Sequence, residues 1–169
     1  MAYASKLLGY GKMEGGLVRM IERFKTDGTL IGDPVLDQFI MDHPNAALLG
    51  MLFDQRVRAE YAFAGPHRLF ERLGHLDMNQ IAEMDFDQLA ALFAQKPAVH
   101  RFTNVMAERT LAIAKLVVDK YDGSAENMWN RGVDFATIQK RLIELPGFGP
   151  MTASKMKFVL HYFGYRDFS

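Results

Sequence analysis

Cysteine is absent from all 169 residues. That excludes disulfides, thiolate zinc sites, cysteine nucleophiles and cysteine-ligated iron–sulfur clusters. Histidine is sparse and scattered, at 43, 67, 75, 100 and 161, with no pair at ligand spacing, so a metal enzyme is not expected. No apolar run is long enough to span a bilayer, and the N-terminal region is glycine-rich and interrupted by charge, unlike a signal peptide. The expected location is cytoplasmic, with no membrane partner. Convincing β segments, low-complexity tracts and solenoid repeats are missing as well. Neither sign of charge is in excess, since 20 Lys and Arg balance 20 Asp and Glu. Any polyanion-binding surface must therefore be local.

What remains is helical pattern, and the chain is long enough to bury a substantial core. Residues 1–16 read as an irregular arm, followed by a short amphipathic helix with Leu17, Met20, Ile21 and Phe24 on one stripe. The expected organisation is an N-terminal arm over 1–32 and a helical domain over 33–169. Asp33-Pro34 and His43-Pro44 are helix-start signals, and Asp77, Asp85 and Asp134 are placed to cap later helices. The helix from Asn45 is apolar nearly all round, which marks it as buried and central. It closes abruptly on Asp54-Gln55-Arg56, a polar tip that either reaches solvent or is carried to a ligand cleft. Arg58–Phe63 and Gly65–Leu73 read as the next helix or pair, with Tyr61, Phe63, Leu69 and Phe70 as packing residues. Residues 102–121 form the longest periodic segment, with Val105 among those expected inward and Arg109 outward. The fold class is all-α, with eight to ten short helices.

The charge is uneven near the C-terminus, where Lys140, Arg141, Lys155, Lys157 and Arg166 face only Glu144 and Asp167. A local basic face is what a phosphate backbone needs. Two helical segments there flank Leu145-Pro146-Gly147-Phe148-Gly149-Pro150. Glycines at 147 and 149 allow positive φ and remove the Cβ atoms that keep a ligand from the main chain. Pro150 suits the first helical position. The amides that follow sit where a helix presents unpaired N–H groups and the positive end of its dipole. A bare backbone cradle beside lysines is a phosphate site.

The run from Leu145 to Ala153 resembles the hairpin of the helix-hairpin-helix DNA glycosylases, the endonuclease III and adenine glycosylase superfamily known as HhH-GPD. The resemblance extends over about residues 33–164. His43-Pro44, the apolar helix and Asp54-Gln55 are similar to that superfamily's barrel helix, which ends in a glutamine near the lesion. The small cysteine-free members look closest. The resemblance implies a barrel-like helical bundle that binds double-stranded DNA, damaged DNA in particular, and works in base-excision repair near the nucleoid. Gly147, Phe148, Gly149, Met151 and Thr152 would hold a DNA phosphate, often through a monovalent cation, with no other cofactor. Lys155 and Lys157 would add salt-dependent affinity. Gln55, with Arg56, would fill the gap left by an extruded base, since flipping costs least at damaged or mispaired bases.

Two departures bear on chemistry. Members that cleave the backbone carry a lysine where this chain has Met151, so a Schiff-base lyase lacks its nucleophile. The superfamily's catalytic aspartate follows the second hairpin helix, and Asp167 is the sole carboxylate in that neighbourhood. It comes earlier than the usual spacing, beside Arg166. Three readings stay open: a monofunctional glycosylase, a DNA-binding module that has lost the catalytic lysine and aspartate, and a protein–protein domain. The arm or a second copy would have to complete the cleft. Tyr61, Phe63 and Trp129 are as readily core aromatics as pocket residues.

Overall fold

The computed structural model describes residues 3–169, and among them there are nine α-helices, one 3-10 turn and no strand. In chain order the helices are α1 (Gly16–Asp27), α2 (Pro34–Asp42), α3 (Pro44–Phe53), α4 (Ala59–Leu73), α5 (Met78–Ala82), α6 (Phe86–Ala94), α7 (Thr103–Tyr121), α8 (Phe135–Ile143) and α9 (Pro150–Tyr162). The 3-10 turn spans Ala125–Met128. The expected caps are made. The Asp33, Asp77, Asp85 and Asp134 carboxylates each accept from amides of the first turn that follows them.

α3 is the axis of the molecule. Every residue from Ala46 to Phe53 is buried, and α2, α4 and α9 pack around it. The approach of α4 is close, because a Cβ on Gly65 would stand 2.8 Å from the Phe53 ring. Of the two expectations, one helix or a pair, the structure has the first: α4 runs through Gly65 and Pro66 as one helix. Pro66 lacks the amide that would bond one turn back, but both residues are buried against neighbours. Arg68 also donates twice, at 3.0 and 3.1 Å, to the carbonyl of Tyr61 upstream of the proline. Val105, expected inward, is exposed.

The arm is woven into the domain, and no gap falls at residue 32. Leu17, Met20 and Ile21 belong to the same core as α3. Asp37, fully buried, accepts from Tyr3 Oη at 2.5 Å and from the amides of Leu30 and Ile31 at 2.7 and 2.8 Å. A buried carboxylate with three donors ties both sides of that boundary together. The arm then runs beside α9. The Ala4 amide donates to Tyr162 O, the Leu8 amide to Tyr162 Oη at 2.9 Å, and Tyr162 Oη to Leu8 O at 2.8 Å. His161 Nε2 is 2.7 Å from Lys6 O. Further along, Tyr10 Oη reaches Glu22 at 3.1 Å in an exposed bond. Glu60 fastens α1 to α4 by accepting from Arg19 at 2.6 and 2.8 Å and from Arg23 at 2.8 Å. Those guanidiniums pull its carboxyl down to about 2.

Candidate nucleic-acid interface

Between α8 and α9 the chain turns on buried anchors. Leu145 and Phe148 point into the core, and the Phe148 amide donates to Leu145 O at 3.1 Å. The Phe148 side chain is therefore packing, not a surface for DNA. Only one of the two glycines needs its special backbone. Gly147 has φ +88°, and a Cβ there would stand 2.8 Å from Leu52 Cδ1 and 2.9 Å from Arg109 Cδ. Gly149 has φ −85° and ψ 177°, an ordinary extended geometry, and a Cβ there would meet nothing within 4 Å. That corrects the expectation of positive φ at both.

The N-terminus of α9 is left open. Gly149 caps it with no side chain, and no protein acceptor takes the amides of Gly147, Gly149, Met151 or Thr152. Gly149 and Met151 are exposed, Met151 to 72%. These N–H groups, with the helix dipole behind them, form an anion cradle.

The polar tip of α3 is bound to this turn. Gln55 Nε2 donates to Leu52 O at 2.8 Å and to Gly147 O at 3.1 Å, while Arg109 Nη1 donates to Gln55 Oε1 at 3.3 Å. Gln55 is thus a brace joining α3, the hairpin and α7. Arg56 is exposed with φ +60°, a left-handed geometry uncommon outside glycine. Its guanidinium lies 5.5 Å from the Phe102 ring, and that of Arg101 lies 5.4 Å from the same ring. Buried His100 steadies this corner: Nε2 donates to Phe53 O at 2.9 Å and Nδ1 accepts the Phe102 amide at 3.0 Å. That pattern requires the neutral ring, and burial lowers its pKa accordingly.

Lys155 lines a recess of about 490 Å³ with Met151, Ser154 and Phe158 on one side and Lys12, Met13 and Glu14 of the arm on the other. The arm therefore supplies the wall opposite the hairpin helix. Asp54 sits at the end of α3, partly buried, and lines an adjoining recess of about 390 Å³ with Gly16, Arg19, Arg56 and Arg58. Burial raises its carboxyl to about 6, against the opposing field of Lys155. No donor bonds to its oxygens, and no cation approaches within 4 Å.

Gly147, Gly149, Met151, Thr152, Lys155, Gln55 and Arg56 are gathered at this one mouth. Two other expected residues are not. Lys157, two positions and about 200° around α9 from Lys155, lies over the rings of Phe135 and Phe168 at 5.8 and 6.0 Å. Asp167 lies beyond the far end of α9, whose 13 residues rise roughly 20 Å. There it is exposed, accepts from Ser169 N and Oγ at 2.9 and 2.6 Å, and is held below its usual range by those bonds. Arg166 beside it donates to Trp129 O and Val133 O. Phe63 and Trp129 are buried core. From the sequence Asp54 stood out only as part of the polar tip 54–56 and Arg109 only as an outward residue of its helix, while Arg101 did not stand out. The signal for Asp54 was its position as the first charge after an apolar helix. Among the described residues no group of three His, Cys, Asp or Glu could hold a metal ion, and no helix is long and apolar enough to cross a membrane.

No family model matches the chain, and no curated protein matches it. Solved structures do, two of them as follows. A thermostable thymine-DNA glycosylase matches with 18% identity and a TM-score of 0.56. Endonuclease III in a trapped covalent intermediate with DNA, an estranged-adenine complex, matches with 18% identity and a TM-score of 0.55. Each comparison covers 88% of this chain and 58% of the other. The chain thus spans under two thirds of either neighbour. At this identity the likeness establishes the fold: an all-α bundle of the HhH-GPD type.

Proposed function

We propose that this protein binds duplex DNA through the 145–152 hairpin and serves in base-excision repair as a monofunctional DNA glycosylase. The observation that carries the reading is the set of uncapped amides at the start of α9. Uncapped amides are common at helix starts, and α1, α3, α4 and α7 also lack side-chain caps, so it is the setting of these that carries the reading. Here they face outward on a turn that Gln55, Arg109, Leu145 and Phe148 hold rigid, so a phosphate oxygen meets preformed donors with little ordering cost. Arg109 lies against Gly147 and Lys155 lines the recess beside Met151, which brings positive charge to this turn on a chain of zero net charge. In this reading Gln55, stiffened by its bonds to the hairpin and α7, and Arg56 enter the duplex where a base pair opens.

The carbonyls of Leu145 and Gly147 each accept one hydrogen bond, from Phe148 N and Gln55 Nε2, and each keeps a lone pair that could help hold a monovalent cation at the hairpin. Met151 in the lyase position supports base release without strand cleavage. The alternative is a binding module without chemistry, and the distance of Asp167 from the mouth favours it.

Duplex binding measured between 50 and 200 mM salt tests the reading. Neutralising four or five phosphates should weaken binding about 150- to 500-fold over that range. Gly149→Ala should weaken it roughly tenfold at fixed salt, because the added methyl has room in the protein but crowds a bound phosphate. A flat salt response, or unchanged binding in Gly149→Ala, would count against the hairpin as the contact.

A further inference from the structure

The hollow of about 390 Å³ at the end of α3 has Arg19, Arg56, Arg58 and Asp54 on its wall, with Gly16 and Ala59 from the starts of α1 and α4. Glu60 is already bonded to Arg19 and Arg23 at 2.6 to 2.8 Å. Arg58, with its side chain 73% exposed, reaches Glu60 only at 3.8 Å. Arg56 is exposed as well and rests on the Phe102 ring, with no carboxylate in reach among the described residues. Asp54, the other acid on the wall, pairs with neither. Two guanidiniums are therefore left with charge that the protein does not answer. The helix starts add to the same field. Neither has a side-chain cap, and they are pressed together, since a Cβ on Gly16 would stand 2.6 Å from Ala59 Cβ. One open helix start is ordinary, but two positive dipole ends beside unanswered arginines favour an anion.

We infer that this hollow seats a phosphate of the duplex, a second grip reached from the hairpin across the 54–56 tip, with Arg58 and Arg56 as its cations. The inference rests on the duplex-binding reading above. Continuity with the hairpin is built in. Gln55, between Asp54 and Arg56, donates to Gly147 O at 3.1 Å, and Asp54 feels the charge of Lys155 on the hairpin helix. A guanidinium can meet two phosphate oxygens at once. Two grips joined by a rigid brace fix the angle at which the duplex meets Gln55, where one grip leaves it free to pivot. Asp54 tunes the second grip. Lys155 faces it from α9, Arg19 from α1 and Glu60 from α4, with Arg56 and Arg58 on its own loop. As an anion Asp54 repels a phosphate, but burial has already brought its carboxyl to about 6. A phosphate entering the hollow raises that proton affinity further, so binding takes up a proton.

The test titrates a labelled duplex with the full chain and its variants across the same salt range, with a thermal melt to show that each is folded. Arg58→Ala should weaken binding roughly fivefold and lower the salt slope by about one, and Arg58→Lys should restore the slope and most of the affinity. Asp54→Asn should tighten binding about fivefold at about pH 7.5 and leave it unchanged at about pH 5. Wild type should bind more tightly as pH falls through about 6, a limb that Asp54→Asn should lack. Unchanged affinity and slope in Arg58→Ala would overturn the inference, while weaker binding in Gly149→Ala would leave the hairpin reading standing. Asp54→Asn that binds no tighter than wild type at the higher pH would overturn it too. Inorganic phosphate, titrated alone into wild type and Arg58→Ala, separates the sources. Free phosphate held through Arg58, with duplex binding indifferent to that residue, would overturn the duplex assignment. Wild type that binds no duplex would remove both.

Discussion

The two ends of α9 carry similar residues and treat them differently. At the far end His161 uses both ring nitrogens, Tyr162 Oη both donates and accepts, and Tyr165, Arg166 and Asp167 all have partners within the protein. At the near end, amides at 147, 149, 151 and 152 have none, Met151 stands in solvent, and the Asp54 carboxylate has no donor. Folding favours closing every polar group, so the first end is explained by stability alone. The second leaves its amides to solvent, as the uncapped starts of α1, α3, α4 and α7 also do, and so stands open to a ligand. Charge and residue type do not separate the two; satisfaction does.

The sharpest way to break this comparison is to change one residue at each end. Gly149→Ala should weaken duplex binding roughly tenfold, whereas Asp167→Asn should stay within about twofold, since its oxygens take the Ser169 donors and lie near the His161 ring at the far end of α9. Equal losses would erase the distinction. Next in size is the pair of glycines. Gly147→Ala must strain a left-handed backbone and push Leu52 or Arg109 aside, costing about 2–3 kcal/mol by chemical denaturation. Gly149→Ala should cost under about 0.5 kcal/mol. Loss of binding without loss of stability is thus expected only at 149. At the far end, Tyr162→Phe leaves the Leu8 amide and carbonyl without their partner and should cost about 1–2 kcal/mol, or roughly 3–6 °C in Tm, with duplex binding unchanged.

The smallest effect is a dependence of stability on pH. The Asp54 carboxyl is raised from 3.8 to about 6 on folding, so the folded state binds more protons between those values. Its contribution to stability is lost as pH rises through that window and stays lost above it. The full shift corresponds to about 3 kcal/mol, which partial exposure reduces to about 1 kcal/mol. Asp54→Asn should therefore gain about that much over wild type at pH 7 and nothing below pH 4, in paired denaturation curves. Glu60 works in the opposite sense, from 4.5 down to about 2, so only the difference between the two proteins isolates Asp54.

Much of the fold was legible because its causes are local. Aspartates before apolar runs became caps, and an all-apolar segment became the central helix, since each depends on neighbours a few residues away. The hairpin was legible for the same reason. What was not legible depends on contacts across the chain. Nothing in the residues near 55 or 147 says that the amide of one will brace the carbonyl of the other, 92 positions on. Pro66 reads as a break until Phe53 and Arg68 are in place. The separation of Lys155 from Lys157 was available from helical period alone, and treating the two as one basic patch overlooked it. Asp167 drew attention by its place in the sequence, while Asp54 gained its character only from burial.

The arm that walls the recess is fastened very unevenly. Its buried bonds to Lys6, Leu8 and Tyr162 lie at the end away from the mouth, its bond at Tyr10 is open to water, and across Lys12–Glu14 the backbone bond is a local one from Met13 to Tyr10. It is a span held at both ends, by the bonds to α9 on one side and by Leu17, Met20 and Ile21 of α1 in the core on the other, with Tyr10 and Met13 resting on that core between them. A strut anchored at both ends keeps its distance from the helix it faces, so both banks of the recess are set by the same core.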